Sequence, residues 1–280
     1  MIIPLTKDSL PPFKANFHTH SDFCDGKNTL AEMAKAAFKK GFTHLGFSSH
    51  AIFPFAGFWH IPLDKYQAYQ DEINHLKDEY KGRMEIFMGF EADWLPPAAA
   101  PEKNMYSKWK PDYLIGSVHY VSSPKGLASV DHRTEMVKKG IDLIFDGDGR
   151  KMVQAYFEAE RSMLETCSFD ILAHPDLVRK RNSELSFFDE NEEWYKKELE
   201  LTANAIAKAK VIVEINTGAI VRGSMNDVYP SATFLSMLKE RNVPICINSD
   251  AHTIQNIDGA FERGVEAALK AGYTELTYPC

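Results

Sequence analysis

Short apolar, β-branched or aromatic runs alternate with longer stretches of helical periodicity along the whole chain. The runs predict strands near Lys14–Phe17, Thr43–Phe47, Met84–Phe90, Asp112–Val118, Phe169–Ala173, Val211–Ile215 and Val243–Ile247. Between them, apolar residues recur every three to four positions. Leu30, Met33, Ala34, Ala37 and Phe38 line one face of a helix predicted over Thr29–Lys40, which Gly41 stops. Similar patterns cover Asp64–Tyr80, Gly149–Cys167, Glu190–Ala209, Ser231–Arg241 and Ile257–Ala271. Strand and helix in alternation imply parallel strands joined by crossovers, and seven such units suggest a barrel. The alternation is equally compatible with an open doubly wound sheet.

What stands directly after each strand is more informative. The first is followed by His18-Thr-His20, the second by Ser48-Ser-His50 and the third by Glu91. The fourth ends in His119, the fifth in His174, the sixth in Asn216 and the seventh in Asp250-Ala-His252. In a parallel barrel the C-terminal strand ends converge on one face. Six of the ten histidines therefore point to one mouth, with at least two carboxylates, and this is the pattern of a metal site. Imidazole nitrogen and carboxylate oxygen suit Zn, Fe and Mn. Asp25, in the loop after His20 and before Gly26, completes nine candidate ligands: His18, His20, Asp25, His50, Glu91, His119, His174, Asp250 and His252. One ion takes about four ligands and a catalytic one leaves room for water, so nine imply two or three divalent ions, with Glu91 as a bridge. His44, His60, His75 and His132 fall outside the pattern, while Asp22, Asp93 and Asp176 are candidates for orienting the ligands.

Composition narrows the setting. The 280 residues carry a formal net charge of −7, which disfavours a non-specific nucleic-acid binder. No apolar run approaches the ~18 residues of a membrane span, so a membrane partner is not expected. The start, Met1-Ile-Ile-Pro-Leu-Thr-Lys, lacks a signal-peptide pattern, and the four cysteines have no paired spacing, so a cytoplasmic location is expected. Neither a repeat nor a linker breaks the chain, and Pro96-Pro97-Ala-Ala-Ala-Pro101 reads as a loop inside a single domain over 1–280. The segments 96–110 and 122–150 either cover the site or connect barrel elements. No heptad or apolar stripe reveals the oligomeric state.

Six motifs occur in order across residues 16–252: Asn16-Phe-His-Thr-His-Ser21 with Asp25-Gly26, Ser48-Ser-His50, Gly89-Phe-Glu91, Gly116-Ser-Val-His119, Leu172-Ala-His-Pro175 and Asn248-Ser-Asp-Ala-His252. In this ordered set the chain resembles the polymerase-and-histidinol-phosphatase (PHP) superfamily. The resemblance implies a distorted (β/α)7 TIM-like barrel with a trinuclear centre. One ion would take His18, His20, Glu91 and Asp250; the second Glu91, His119 and His174; the third Asp25, His50 and His252. Three further stretches resemble the histidinol-phosphate phosphatases: His50-Ala-Ile-Phe-Pro with Gly57-Phe-Trp59, Val213-Glu-Ile-Asn-Thr-Gly218 with Arg222, and Tyr229-Pro-Ser231.

The substrate expected on this reading is a small phosphomonoester. Arg222 and Arg179 are candidates to hold the phosphate, because a guanidinium matches its geometry; Lys180 and Arg181 are expected to be exposed. Phe53, Phe55, Phe58 and Trp59 are candidates for a wall against an imidazole ring. Arg222 and His252 are the candidate catalytic residues. A metal-bridging hydroxide would attack phosphorus, and a metal-bound water or a nearby His or Asp would protonate the leaving alcoholate. No serine or cysteine arrangement suggests a covalent intermediate. Competing readings are a phosphotyrosine phosphatase, an exonuclease, a metal-dependent amidohydrolase and a non-catalytic metal-binding module. Amidohydrolases commonly use a carbamylated lysine as the bridge, where this chain has Glu91.

Overall fold

The computed structural model describes residues 1–5, 15–51 and 59–279. Seven strands, β1 (Ala15–Asn16), β2 (His44–Phe47), β3 (Glu85–Asp93), β4 (Tyr113–Ser117), β5 (Ile171–Leu172), β6 (Ile212–Asn216) and β7 (Ile245–Asn248), form one sheet. They lie side by side in chain order and every pairing is parallel. Each strand thus pairs with its predecessor through a crossover connection, and the twist of such a sheet curls the row towards closure.

Closure between β1 and β7 is made largely by side chains. The Asn248 side-chain oxygen accepts from Phe17 N at 2.7 Å, and the Asn16 amide donates to Ser249 Oγ at 2.8 Å. Beyond the strand ends, Thr19 and Ala251 form a parallel bridge. This seam makes the (β/α)7 barrel a distorted one. Inside it, the Tyr113 ring crosses beneath the mouth and its hydroxyl donates to Phe17 O at 2.7 Å. A Cβ on Gly46 would come within 2.4 Å of the Tyr113 hydroxyl oxygen and one on Gly89 within 2.5 Å of the ring, so both strands need glycine there.

Around the barrel run α1 (Leu30–Lys39), α2 (Tyr66–Glu79), α3 (Thr134–Ile144), α4 (Gly149–Thr166), α5 (Glu193–Ala209), α6 (Ala232–Glu240) and α7 (Phe261–Lys270). In α1 a reciprocal cap fixes the start: Glu32 N donates to Thr29 Oγ1, and Thr29 N donates to the Glu32 carboxylate. Six of the seven helices match the predicted periodic stretches, with ends trimmed by a few residues. The seventh, α3, and a hairpin of Tyr120–Ser123 with Gly126–Ser129 occupy the 122–150 segment, where no element was predicted. Segment 96–110 is a connection: Tyr106 and Trp109 pack against Phe90 and Tyr66, while Leu95 and Ala99 reach the mouth beside Trp59 and Tyr120. One core cluster joins residues from Leu5 to Tyr278. Among the described residues, no helix is long and apolar enough to cross a membrane.

Candidate metal centre

At the end of β1, Thr19 turns outward, its hydroxyl donating to Gly46 O at 2.5 Å. His18 and His20, two residues apart, therefore share the inward face. Glu91, near the end of β3, stands at the centre and is 1% exposed. Its Oε2 faces His18 Nε2 at 3.2 Å, His20 Nε2 at 3.5 Å and His50 Nδ1 at 3.1 Å. The other oxygen, Oε1, faces His174 Nε2 at 3.1 Å and His119 Nε2 at 3.5 Å, and accepts from Ser117 Oγ at 2.7 Å. Asp250 Oδ1 lies 3.2 Å from His20 Nε2. At the outer edge, Asp25 Oδ2 lies 3.3 Å from His252 Nε2, and the His252 and His20 rings stack 4.1 Å apart.

These atoms fall into groups able to hold cations: His18, His20 and Asp250; Glu91, His119 and His174; His20, Asp25, His50 and His252. His50, Asp93 and His119 form a further overlapping group. Two observations test the fit. His18 Nε2, His20 Nε2 and His50 Nδ1 are buried without a hydrogen-bond partner, a costly arrangement unless a Lewis acid receives their lone pairs. Their separations from Glu91 also match the roughly 3.3 Å edge between two ligands of one tetrahedral zinc. All nine predicted ligands are thus brought into one cluster suited to divalent metal. His174 and Asp250 adopt φ of 26° and 50°, sparsely populated for residues with a Cβ and typical of side chains held in place for function.

Behind the cluster, buried carboxylates orient the rings. His18 Nδ1 donates to Glu214 Oε1 at 2.7 Å, leaving Nε2 for the site. Glu214 also accepts from Asn248 Nδ2, Asn216 Nδ2 and His174 N, at 3.0, 2.8 and 3.2 Å. Sequence reasoning gave Glu214 no role, although a carboxylate inside an apolar parallel strand was a signal that a buried partner must exist. Asp93 does the same for His119, accepting from Nδ1 at 2.7 Å. Asp22 is exposed, and Asp176 lies elsewhere, accepting from Ser231 N at 2.8 Å.

The electrostatics follow. Burial works against charge on Glu91, yet His50, His18 and His119 hold it well below the usual carboxylate range. Asp250 is likewise held low, against its burial, by Arg222 and His18. Burial together with the repulsion of His252 lowers His20 to about 3, so that ring stays neutral. His119 is raised to about 10, because Asp93 and Glu91 outweigh its burial.

Arg222 reaches the rim: NH2 pairs with Asp250 Oδ2 at 2.7 Å, NH1 donates to Asp250 O at 2.8 Å, and the side chain remains 30% exposed. It lies beside His252, 3.4 Å from Nδ1. Arg179 corrects an expectation. It is 7% exposed and its guanidinium is consumed by Glu190 and Asp227, each at 2.8 Å, by Asp176 at 3.4 Å and by Val228 O. Four of its five N–H groups thus anchor a loop, and the buried guanidinium offers no two-pronged face to a phosphate. Lys180, expected to be exposed, is 13% exposed and pairs with Asp131. Trp59 lines a mouth cavity of about 290 Å³ with Asp25, His50, His119, Tyr120, Ser129, Asp131 and His132. His132, set aside as a bystander, thus stands at the mouth. Phe53, Phe55 and Phe58 lie outside the described residues.

The PHP domain profile matches residues 16–218, from the first metal-facing strand through the loop after β6. The chain belongs to the PHP domain family. A histidinol-phosphatase of Bacillus subtilis is 26% identical over 270 residues, 90% of this chain and 98% of the relative. In fold, the chain matches a candidate histidinol phosphatase of Listeria monocytogenes with TM-score 0.79 and 22% identity, over 89% of this chain and 99% of that one. It also matches the histidinol phosphate phosphatase of Lactococcus lactis, solved with zinc, L-histidinol and phosphate. There the TM-score is 0.65 and the identity 20%, over 94% of this PHP chain and 95% of the other.

Proposed function

We propose that this PHP protein is a metal-dependent phosphomonoesterase that hydrolyses L-histidinol phosphate to L-histidinol and phosphate. The observation that carries the chemistry is Glu91, whose two oxygens face five imidazoles from the ends of β1, β4 and β5 and from the loop after β2. The choice of substrate is supported by end-to-end similarity to the histidinol-phosphatase of Bacillus subtilis.

In this reading His18, His20, Glu91 and Asp250 hold one ion, Glu91, His119 and His174 a second, and Asp25, His50 and His252 a third. Zinc, manganese or iron suits these donors. Such ions supply a water made acidic enough to attack at neutral pH and positive charge for the phosphoryl oxygens. The chain's own residues do the rest. Arg222, one face on Asp250 and partly open to solvent, takes a phosphoryl oxygen. Where the third ion is absent, His252, 3.3 Å from Asp25 and beside Arg222, is placed to hand a proton to the leaving alcohol. Trp59 offers a flat wall to the imidazole. Cys24 lies beside His20, but burial and the charge of Asp25 push its thiol up to about 11, so it remains a poor nucleophile and water attacks directly. A cytoplasmic step of histidine biosynthesis is the setting this activity implies.

The test is phosphate release by metal-reconstituted protein from L-histidinol phosphate, p-nitrophenyl phosphate, phosphotyrosine and a short single-stranded oligonucleotide. A kcat/KM for histidinol phosphate at least roughly a hundredfold above the others is expected, about the discrimination that the fit of an apolar pocket alone provides. Preference for phosphotyrosine or the oligonucleotide would overturn the substrate.

A further inference from the structure

Among the described residues lining the mouth cavity, one carboxylate stands outside the metal groups. After β4 the chain leaves His119 into the hairpin Tyr120–Ser123/Gly126–Ser129, and the return strand comes back beside its starting point: Tyr120 pairs with Ser129, and Val130 N donates to His119 O at 3.0 Å. The next residue is Asp131. Its loop is gripped from the other side by the segment after His174, where Lys180 Nζ donates to Asp131 Oδ2 at 3.1 Å and Arg181 Nε donates to His132 O at 2.8 Å. Ser129 Oγ donates to the other oxygen at 3.1 Å. Each carboxylate oxygen accepts about two hydrogen bonds, so Asp131 keeps acceptor capacity on both. Burial opposes its charge, but the Lys180 ammonium beside it keeps it ionised.

Asp131 lines the same mouth cavity as Trp59, Tyr120 and His132. The Trp59 and Tyr120 ring centroids are 6.2 Å apart. Its charge is balanced by Lys180, which is not among the residues lining the cavity. The mouth is thus offered carboxylate acceptors that disfavour a phosphate and suit a cationic donor on a substrate whose phosphate lies over the metal cluster and Arg222. Among the described residues lining the cavity, the other carboxylate is Asp25, which is engaged with His252.

We propose that Asp131 is a specificity-determining residue that binds a primary ammonium on the alcohol portion of the substrate. The amine of L-histidinol phosphate thereby gains a partner in the mouth separate from the groups that hold its phosphate. This rests on the phosphatase reading above and adds the feature by which the substrate is chosen. An ammonium held by a charged, partly desolvated acceptor contributes about 10–100-fold in binding.

The experiment compares L-histidinol phosphate with 3-(imidazol-4-yl)propyl phosphate, the same ester without its amine, on metal-reconstituted wild type and on Asp131→Asn and Asp131→Ser. Wild type should favour the amine by about 10–100-fold in kcat/KM. Both variants should bring that ratio close to one, through KM, at wild-type metal content. A wild-type ratio near one, with both esters turned over, overturns the role of Asp131 and leaves the phosphatase reading standing. A ratio that the variants leave unmoved, or equal losses on both esters, overturns it too. Failure of wild type to hydrolyse either ester overturns the phosphatase reading and this inference with it.

Discussion

The loops after β5 and β6 both carry an arginine at the mouth end of the barrel, and in sequence the two look alike. Arg179 follows His174 by five residues and Arg222 follows Asn216 by six. In the folded chain they differ in what remains unspent. Three carboxylates and a carbonyl surround Arg179, and one of them, Asp176, is fully buried. Arg222 meets one carboxylate, Asp250, and keeps part of its guanidinium in solvent. A guanidinium has five donors, so its role is set by how many its neighbours consume. Arg179 is the keystone of a buried ion cluster; Arg222 is a cation facing the site.

The largest effect belongs to the cluster between them and sets a floor for both. Glu91→Gln keeps volume but removes the charge and one acceptor oxygen. Bound metal should fall sharply and kcat/KM should drop on the order of a thousandfold, measured by elemental analysis and phosphate release. Full metal content in this variant would break the central role given to Glu91.

The arginines then separate by readout. Arg179→Ala leaves Asp176 buried without its cation and should lower stability by about 3–5 kcal/mol in denaturant unfolding, with kcat/KM of the folded fraction much less affected. Arg222→Ala should do the reverse, costing roughly 10–100-fold in kcat/KM, mostly through KM, with Tm and metal content nearly unmoved. If the two variants exchange these signatures, the comparison fails.

Glu214 sharpens it from behind. All four groups around this carboxylate are donors, so Glu214→Gln must turn its NH2 towards either His18 and Asn248 or His174 N and Asn216. The expected cost is about 10–100-fold in metal affinity, read by titration of the metal-free protein. An unchanged metal affinity would remove Glu214 from its positioning role.

The smallest effect lies on the Arg179 side of the barrel. Burial raises Glu160 well above the usual carboxylate range despite the hydrogen bond from Tyr156. The native state therefore holds a proton that the unfolded chain releases near pH 4.5, and stability falls as pH rises above that value. The slope from Glu160 is at most about 1.4 kcal/mol per pH unit. Glu160→Gln should flatten the decline in Tm between pH 5 and 8; an equally steep decline would place the titration elsewhere.

The alternation of seven strands and helices, and the residue after each strand, were legible in one dimension because both depend on local periodicity. The His-x-His pair, Glu91 and the Asp250-Ala-His252 end are adjacent to strands whose direction a parallel barrel dictates, so their convergence followed from the pattern. The hairpin at Tyr120–Ser129 and helix α3 were missed for a local reason: the strands are four residues long, and the helix leaves Met136 and Leu143 exposed, which blurs its apolar face.

Tertiary structure alone decided the rest. Whether Arg179 was free or consumed depended on Glu190 and Asp227, 11 and 48 residues away. Lys180 became a half-buried partner because the returning hairpin brought Asp131 to it across 49 positions. Glu214 acquired its role only once His18, 196 residues earlier, lay against it across the closed barrel. Residue type and phase along a strand determine which groups can reach the mouth. The donors and acceptors they meet come from distant parts of the chain, and only folding sets those distances.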